Sequence, residues 1–208
     1  MIELADVPVM VFARAPEAGK VKTRLTPALG QQGAADLYAR FVRQAVASAV
    51  GAGLGPVTLW TTPNSRNLFF AGLKQDYPIA FADQKGADLG KRMSFAFRQC
   101  LLSHPAALLM GTDCPSLTGA DLRSAARALA SGSDAVLIPA LDGGYVLLGL
   151  RVPAPGLFSQ VPWGTDAVLD ATRRRLRECS LRWKELPARR DIDRPADLVF
   201  VESDLLAG

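Results

Sequence analysis

The chain has 208 residues, 49% hydrophobic and 21% charged, which suits one domain spanning residues 1–208 with a sizeable core and excludes a disordered chain. Its net charge of +4 admits an anionic ligand. The basic stretches 14–24, 173–177 and 189–190 lack interleaved aromatics or a nucleic-acid motif, so nucleic acid is not an expected partner.

Elements alternate along the chain. Val7–Ala13 is a short apolar, β-branched run, a buried strand. A loop with Pro16, Gly19 and Pro27 leads to a helix over Ala34–Val50, where Leu37, Tyr38, Phe41, Val42, Ala45 and Val46 share one face. Gly51 and Gly53 stop it. Val57–Thr61 is a second strand, 66–73 a short helix and Ile79–Phe81 a third strand. A helix follows over 89–102, with Met93, Phe97, Cys100 and Leu101 inside. Ala106–Met110 is apolar throughout and is expected at the centre of a parallel sheet. Thr118 and Asp121 form a capping box for a helix ending near Ala130. Ala135–Pro139 and Tyr145–Leu150 are strands joined by too few residues for a crossover, so one of them runs antiparallel. A helix over 165–178, a strand over 181–186 and a terminal helix opened by Asp193 and Pro195 complete the pattern. The repetition implies a three-layer α/β/α sandwich with a mostly parallel, mixed sheet. Ligands of such sheets bind outside the carboxyl ends of the strands.

Several chemistries are excluded. Cys100, Cys114 and Cys179 are odd in number and widely spaced, which argues for a reducing, cytoplasmic setting and against a disulfide framework or zinc site. The single histidine, His104, precedes Pro105 at an expected helix end, so Ser-His-Asp and Cys-His hydrolysis are not expected. No run of about 18 apolar residues predicts a membrane span, and no secretory leader is recognisable.

The unusual chemistry falls in the strand-end loops. FARAPEAGKVKTRLTPALG places Arg14, Lys20, Lys22 and Arg24 beside Gly19 after the first strand, a set suited to a phosphate chain. It is not a P-loop, since Val21 follows Gly19-Lys20. LLMGTDCPSLT presents Asp113 at the end of the central strand, where a carboxylate can hold Mg²⁺ or Mn²⁺ bridging phosphates. LDGGYVLLGL sets Asp142, Gly143 and Gly144 in a tight turn before Tyr145, either a plain hairpin turn or backbone packed on a ligand with the ring at an acceptor. KGADLGKRM brings Arg92 to a helix N-terminus, which can take an anion. PWGTDAVLDAT carries Trp163, a candidate substrate contact, and Asp166 at a capping position.

The order of these motifs, with DIDRPADL near the end, resembles a family of bacterial transferases associated with radical-SAM/selenodomain genes and grouped with GT-A glycosyltransferases. The resemblance covers about residues 7–200. KTRLTPALG also resembles a segment of the 2-phospholactate guanylyltransferases, and GTDCP and DIDRPADL resemble segments of the molybdenum cofactor guanylyltransferases. The resemblance implies a nucleotide-diphospho-sugar transferase fold, Rossmann-like, in which the aspartate after the central strand binds the metal (Asp113). It also implies that the loop after the first strand binds nucleotide through Arg14, Gly19, Lys20, Lys22 and Arg24. The chain departs from the pattern at Arg14-Ala15-Pro16, where sugar nucleotidyltransferases are glycine-rich. It also departs at Gly111-Thr112-Asp113, where GT-A enzymes often carry Asp-x-Asp, so a second metal ligand would come from Asp142 or Asp166. The expected function is metal-dependent glycosyl transfer from a nucleotide-sugar to a small-molecule acceptor, with Asp113, Lys22 and Asp142 catalytic. Gly143, Gly144, Tyr145 and Trp163 would hold substrate. Nucleotidyl transfer releasing pyrophosphate and non-catalytic nucleotide binding are the alternatives.

Overall fold

A computed structural model describes residues 2–206. Seven strands form one sheet: β1 (Val9–Arg14), β2 (Val57–Thr62), β3 (Ile79–Asp83), β4 (Ala107–Met110), β5 (Ala135–Pro139), β6 (Tyr145–Leu150) and β7 (Trp183–Glu185). Their spatial order is β3-β2-β1-β4-β6-β5-β7. β4 is therefore central, parallel to β1 but antiparallel to β6 on its other side. β6 is the reversed strand, since it also runs antiparallel to β5, while β5 and β7 are parallel. The short 140–144 turn forces this reversal.

Alternation along each strand feeds two cores. Val9, Val11, Leu108 and Met110 join one apolar cluster with Tyr38, Val42, Leu122 and Leu129. Met10, Phe12, Ala107 and Leu109 join another with Met93, Phe97, Leu169 and Leu176. Helices α1 (Thr26–Gly51), α2 (Leu68–Asp76) and α4 (Gly119–Ala130) thus cover one face, and α3 (Leu89–Cys100) and α5 (Val168–Glu178) the other. These are the three layers expected from the sequence.

Several boundaries differ from expectation: α2 runs over Leu68–Asp76 rather than 66–73, capped by Asn67 through Phe69 N, and three others shift for local reasons. α1 begins at Thr26, since Pro27 fits a first helical turn and Gly30 (φ 69°, ψ 170°) breaks the helix without ending it. α5 begins at Val168 rather than Thr165, because Gly164 takes φ 84° and Thr165 is spent on the preceding turn, bonding to Pro162 O at 2.8 Å. The last segment is a 3-10 turn over Pro195–Phe200, followed by one helical turn over Ser203–Leu206. Asp193 does not cap it. The carboxylate of Asp197 reaches back to the N–H groups of Asp193 and Arg194 at 3.1 and 2.8 Å.

β1 has β2 on one side and β4 on the other, and the chain order reverses across it. Such a switch point opens a crevice at the carboxyl edge of the sheet, between the loops that leave β1 and β4.

The capping box of α4 is formed as read. Thr118 Oγ1 accepts from Asp121 N at 3.3 Å and Asp121 Oδ2 accepts from Thr118 N at 3.0 Å. Thr118→Ala should lower the free energy of unfolding in urea by about 1 kcal/mol, with ligand binding unchanged.

Candidate functional site

A cleft of about 890 Å³ lies over the carboxyl edge of β1 and β4. A recess of about 290 Å³, reached from the 20–24 loop, meets it at Arg14, Arg24, Tyr38, Asp113 and Asp193.

The floor is built around Lys22. Its backbone is left-handed (φ 46°, ψ 39°), which a non-glycine residue adopts only where its surroundings impose it. The bend turns the side chain inward, where it is 3% exposed. The ammonium donates to Ile192 O at 2.6 Å and pairs with Asp113 Oδ1 at 2.7 Å and, more loosely, Asp193 Oδ1 at 3.7 Å. The Phe41 ring lies 6.0 Å away. Ile192 also donates its N–H to Asp113 O at 2.8 Å, so the 191–193 segment is bonded directly to the loop after β4 and, through its carbonyl, to Lys22. Ile192 is buried with Leu25, Leu37 and Phe41. In extended backbone, neighbours of a buried residue face the other way, and both Asp191 and Asp193 line the cleft. The alternation in Asp191-Ile192-Asp193 is the sequence signal that reading Asp193 as a helix cap missed.

Much of the basic loop is already neutralised. Lys20 pairs with Glu17 at 2.5 Å and Arg24 pairs with Asp193. Lys20 and Lys22 line the small recess, whereas Gly19 (φ 73°) lines neither cavity and faces the Gln31 side chain. Arg14 stands at the mouth of both cavities, and among the described residues no carboxylate lies within 4.0 Å of it. Arg92 lines the cleft in the same unpaired condition, held by Nε to Gly86 O at 3.1 Å. The N-terminus of α3 beside it is taken: the Asp88 carboxylate accepts from Lys91 N at 2.7 Å. An anion would meet the Arg92 guanidinium, not the helix end.

The 140–145 turn corrects a second expectation. Gly143 (φ 94°) presses against protein, not ligand: a Cβ there would lie 2.1 Å from Asp166 O. Leu169 N donates to Gly143 O at 2.8 Å, clamping the start of α5 to the turn. Asp142, Gly144 and Tyr145 do line the cleft, and Asp142 Oδ1 accepts from Gly144 N at 3.0 Å. Asp166 lies before α5, exposed at the rim, and its side chain caps nothing. Trp163 stacks directly on the backbone of Gly90, where a Cβ would come within 2.6 Å of its ring nitrogen, and meets Tyr145 edge-on at 6.5 Å. These rings, with Leu89, Met93 and Val168, make one wall of the cleft apolar. Burial pushes the Tyr145 phenol above its ordinary range.

Two groups on the floor escaped the sequence reading. Asp191 is pushed up to about 6, chiefly by burial and then by the neighbouring Asp142 carboxylate. Tyr38, read as a core residue of α1, brings its hydroxyl to the junction of both cavities. It accepts from Arg14 N at 2.9 Å and Thr112 Oγ1 at 3.1 Å. Burial, reinforced by Asp113, pushes the phenol up to about 12, so it remains protonated.

Residues 44–165 match the family described as uncharacterized proteins conserved in bacteria, DUF2064. The chain belongs to that family. This DUF2064 chain is 30% identical to a candidate nucleotide-diphospho-sugar transferase from Desulfovibrio desulfuricans G20, with a TM-score of 0.82 over 91% of this chain and 83% of that one. A nucleotidyl transferase from Methanothermobacter shares the fold at 17% identity, with a TM-score of 0.61 over 96% and 98% of the two chains. So does the inositol-1-phosphate CTP transferase from T. maritima, at 13% identity with a TM-score of 0.59 over 99% and 95%. No curated protein matches the sequence. The architecture is thus that of nucleotide-using transferases, and no described helix is long and apolar enough to cross a membrane.

Gly143→Ala should lower stability in urea by roughly 1–3 kcal/mol from the positive φ alone, with a further loss from the collision with Asp166 O. The unfolded chain releases the Asp191 proton near the ordinary 3.8, and the folded chain holds it to about 6. The stability it lends is therefore full below pH ~4 and lost as pH rises through 6. In EDTA, melting temperatures across that window should fall for the wild type relative to Asp191→Asn.

Proposed function

We propose that this protein is a metal-dependent transferase acting on a nucleotide-activated donor, with glycosyl transfer from a nucleotide-sugar to a small-molecule acceptor as its reaction. One observation carries the reading. Two carboxylates, Asp113 and Asp193, converge on the single ammonium of Lys22 beneath a cleft whose guanidinium groups Arg14 and Arg92 have no acidic partner among the described residues. The cleft lining carries six carboxylates (Asp113, Asp142, Asp166, Asp191, Asp193, Asp197) against five guanidinium groups (Arg14, Arg24, Arg92, Arg190, Arg194). Lys22 beneath the floor brings the two signs level, so the added charge of an entering diphosphate needs an accompanying cation to offset it. The 30% identity with the Desulfovibrio desulfuricans protein supports the nucleotide-sugar class.

The donor set fits Mg²⁺ or Mn²⁺. Among the described residues no three His, Cys, Asp or Glu side chains gather into a protein-only cage. Mg²⁺ does not need one, since it is usually held by one or two carboxylates with waters and substrate phosphates completing its shell. Asp113, half-exposed, with Asp193 as the second carboxylate, would hold it. Bound there, the ion would neutralise charge on the phosphate oxygens.

The remaining steps belong to the chain. In glycosyl transfer the bond between the sugar's anomeric carbon and the diphosphate oxygen breaks. An acceptor oxygen bonds to that carbon and loses its proton. Arg14 and Arg24 stand where they can offset charge on the departing nucleoside diphosphate, and Lys22 keeps Asp113 oriented. Asp142, fixed by Gly144 N at the cleft edge, takes the acceptor proton. The wall of Tyr145 and Trp163 shields this region from water.

A second reading, nucleotidyl transfer, is favoured by Lys22 and Arg24 on the KTRL segment, since cations at this position also suit attack on a nucleoside triphosphate. The products separate the two: a nucleoside diphosphate in one case, pyrophosphate in the other.

A thermal-shift panel of nucleoside di- and triphosphates and nucleotide-sugars, with and without Mg²⁺ or Mn²⁺, tests the proposal. At 100 times its Kd a ligand adds about 2.7 kcal/mol. The expected outcome is a metal-dependent shift with one nucleotide-sugar that Asp113→Asn removes, the Asn keeping an oxygen for Lys22. A shift with triphosphates alone selects nucleotidyl transfer. Binding without turnover by the wild type leaves only a nucleotide-binding protein, and no shift at all rejects the phosphate site.

A further inference from the structure

The hydroxyl groups on the cleft floor do not balance. Tyr38 and Thr112 bring two O–H protons between them. A single contact joins the two oxygens, at 3.1 Å, and the Tyr38 oxygen accepts a further bond from Arg14 N at 2.9 Å. Among the described residues neither hydroxyl makes another hydrogen bond. A hydroxyl has one donor and two acceptor positions. The two protons share one contact, so one proton stays uncommitted. Thr112 donates to Tyr38, and both acceptor positions of the phenol are then filled. The free proton is therefore the phenol's own.

Its surroundings are specific. Tyr38 is 6% exposed and Thr112 4%, so both hydroxyls are nearly withdrawn from bulk water. Tyr38 lines both the cleft and the recess, as do Arg14 and Asp113, and both of those charges act on the phenol. Arg14 is tied by its own N–H to the phenol, and its guanidinium has no carboxylate partner among the described residues. A nearly buried donor without an acceptor is costly unless something fills its place when the site is in use. A neutral donor beside an unpaired guanidinium matches an oxygen that carries partial negative charge.

We propose that Tyr38 is a ligand-contact residue, whose hydroxyl donates to a phosphoryl oxygen seated between Arg14 and Asp113. The proposal rests on the reading of the cleft as a phosphate site and names the group that receives one of the phosphate oxygens. α1 thereby serves two purposes. Its apolar face seals the sheet through Val42 and Val46, and one turn earlier the same face delivers a donor to the ligand. Thr112 is the positioning residue: by donating to the phenol oxygen it turns the phenol's proton outward.

The test uses pyrophosphate with Mg²⁺ as the probe, titrated calorimetrically into the wild-type chain, Tyr38→Phe and Thr112→Val. Circular dichroism melts check that each variant is folded. A hydrogen bond to a charged oxygen predicts that Tyr38→Phe weakens binding by about 10- to 100-fold. Thr112→Val removes the bond that orients the phenol but keeps the phenol's proton, so it should weaken binding measurably but by less than Tyr38→Phe does. A Tyr38→Phe variant that binds like the wild type overturns the proposal. Equal losses in the two variants also overturn it, because the pair would then be acting through packing alone. Failure of the wild type to bind pyrophosphate overturns it as well. The nucleotide panel keeps the two ideas apart. Tyr38-dependent pyrophosphate binding without any nucleotide binding supports the contact and removes the nucleotide reading. Nucleotide binding indifferent to Tyr38 does the reverse.

Discussion

The arrangement of the site depends on one buried ammonium. Lys22 is withdrawn from water almost completely, and a desolvated charge persists only when oxygens replace its hydration. Those oxygens come from residues 91, 170 and 171 positions away in the chain: Asp113 after β4, and Ile192 and Asp193 near the end. The constraint acts on all three segments. It fixes the 20–24 loop in a left-handed bend, aims Asp113 across the cleft floor, and holds the 191–193 segment against the strand ends. Beneath it, Leu25, Leu37, Phe41 and Ile192 form a small apolar base that keeps water from reaching the ammonium from below.

The sheet supplies the frame for that interaction. Because order reverses across β1, two loops diverge and leave a crevice at their shared edge. The period of two along β1 and β4 sends Val11 and Met110 into one core and Phe12 and Leu109 into the other. The cleft therefore opens above tightly packed strands, and Phe12 and Leu109 contribute to its apolar side. β6, running against its neighbours, brings its first residue to the same edge where the others bring their last. Tyr145 thus reaches the cleft from the beginning of a strand, while Arg14 reaches it from the end of one.

The layers were legible because apolar runs and helical spacing are local signals. Residues 107–110 and 135–139 are buried throughout, and Thr118 with Asp121 needed only four consecutive residues to be recognised. The carboxylates and cations at the strand ends were legible in identity, since the α/β pattern indicates where to look. Their pairing was not. Glu17 taking Lys20 and Asp193 taking Arg24 depend on where distant segments meet, which spacing cannot disclose. Asp193 resembled a helix cap because Pro195 follows it, yet Asp197 does the capping and frees Asp193 for the cleft. Tyr38 was concealed by its own regularity: a residue in phase with an apolar helix face reads as core whether or not its hydroxyl reaches a cavity.

The contact between Gly143 and Asp166 has a consequence for how the cleft can change. At that point the 140–145 turn and the 162–168 segment meet backbone to backbone, with no side chain of residue 143 to absorb a shift, and the Tyr145 and Trp163 rings meet beside it. The turn carries Asp142 and Tyr145, and the segment carries Trp163 and Val168. An insertion or replacement in either one displaces the other, so they behave as a single jaw. Reshaping that side of the cleft requires exchanging both as a matched pair, whereas the β1 loop opposite is fastened by side-chain charges instead.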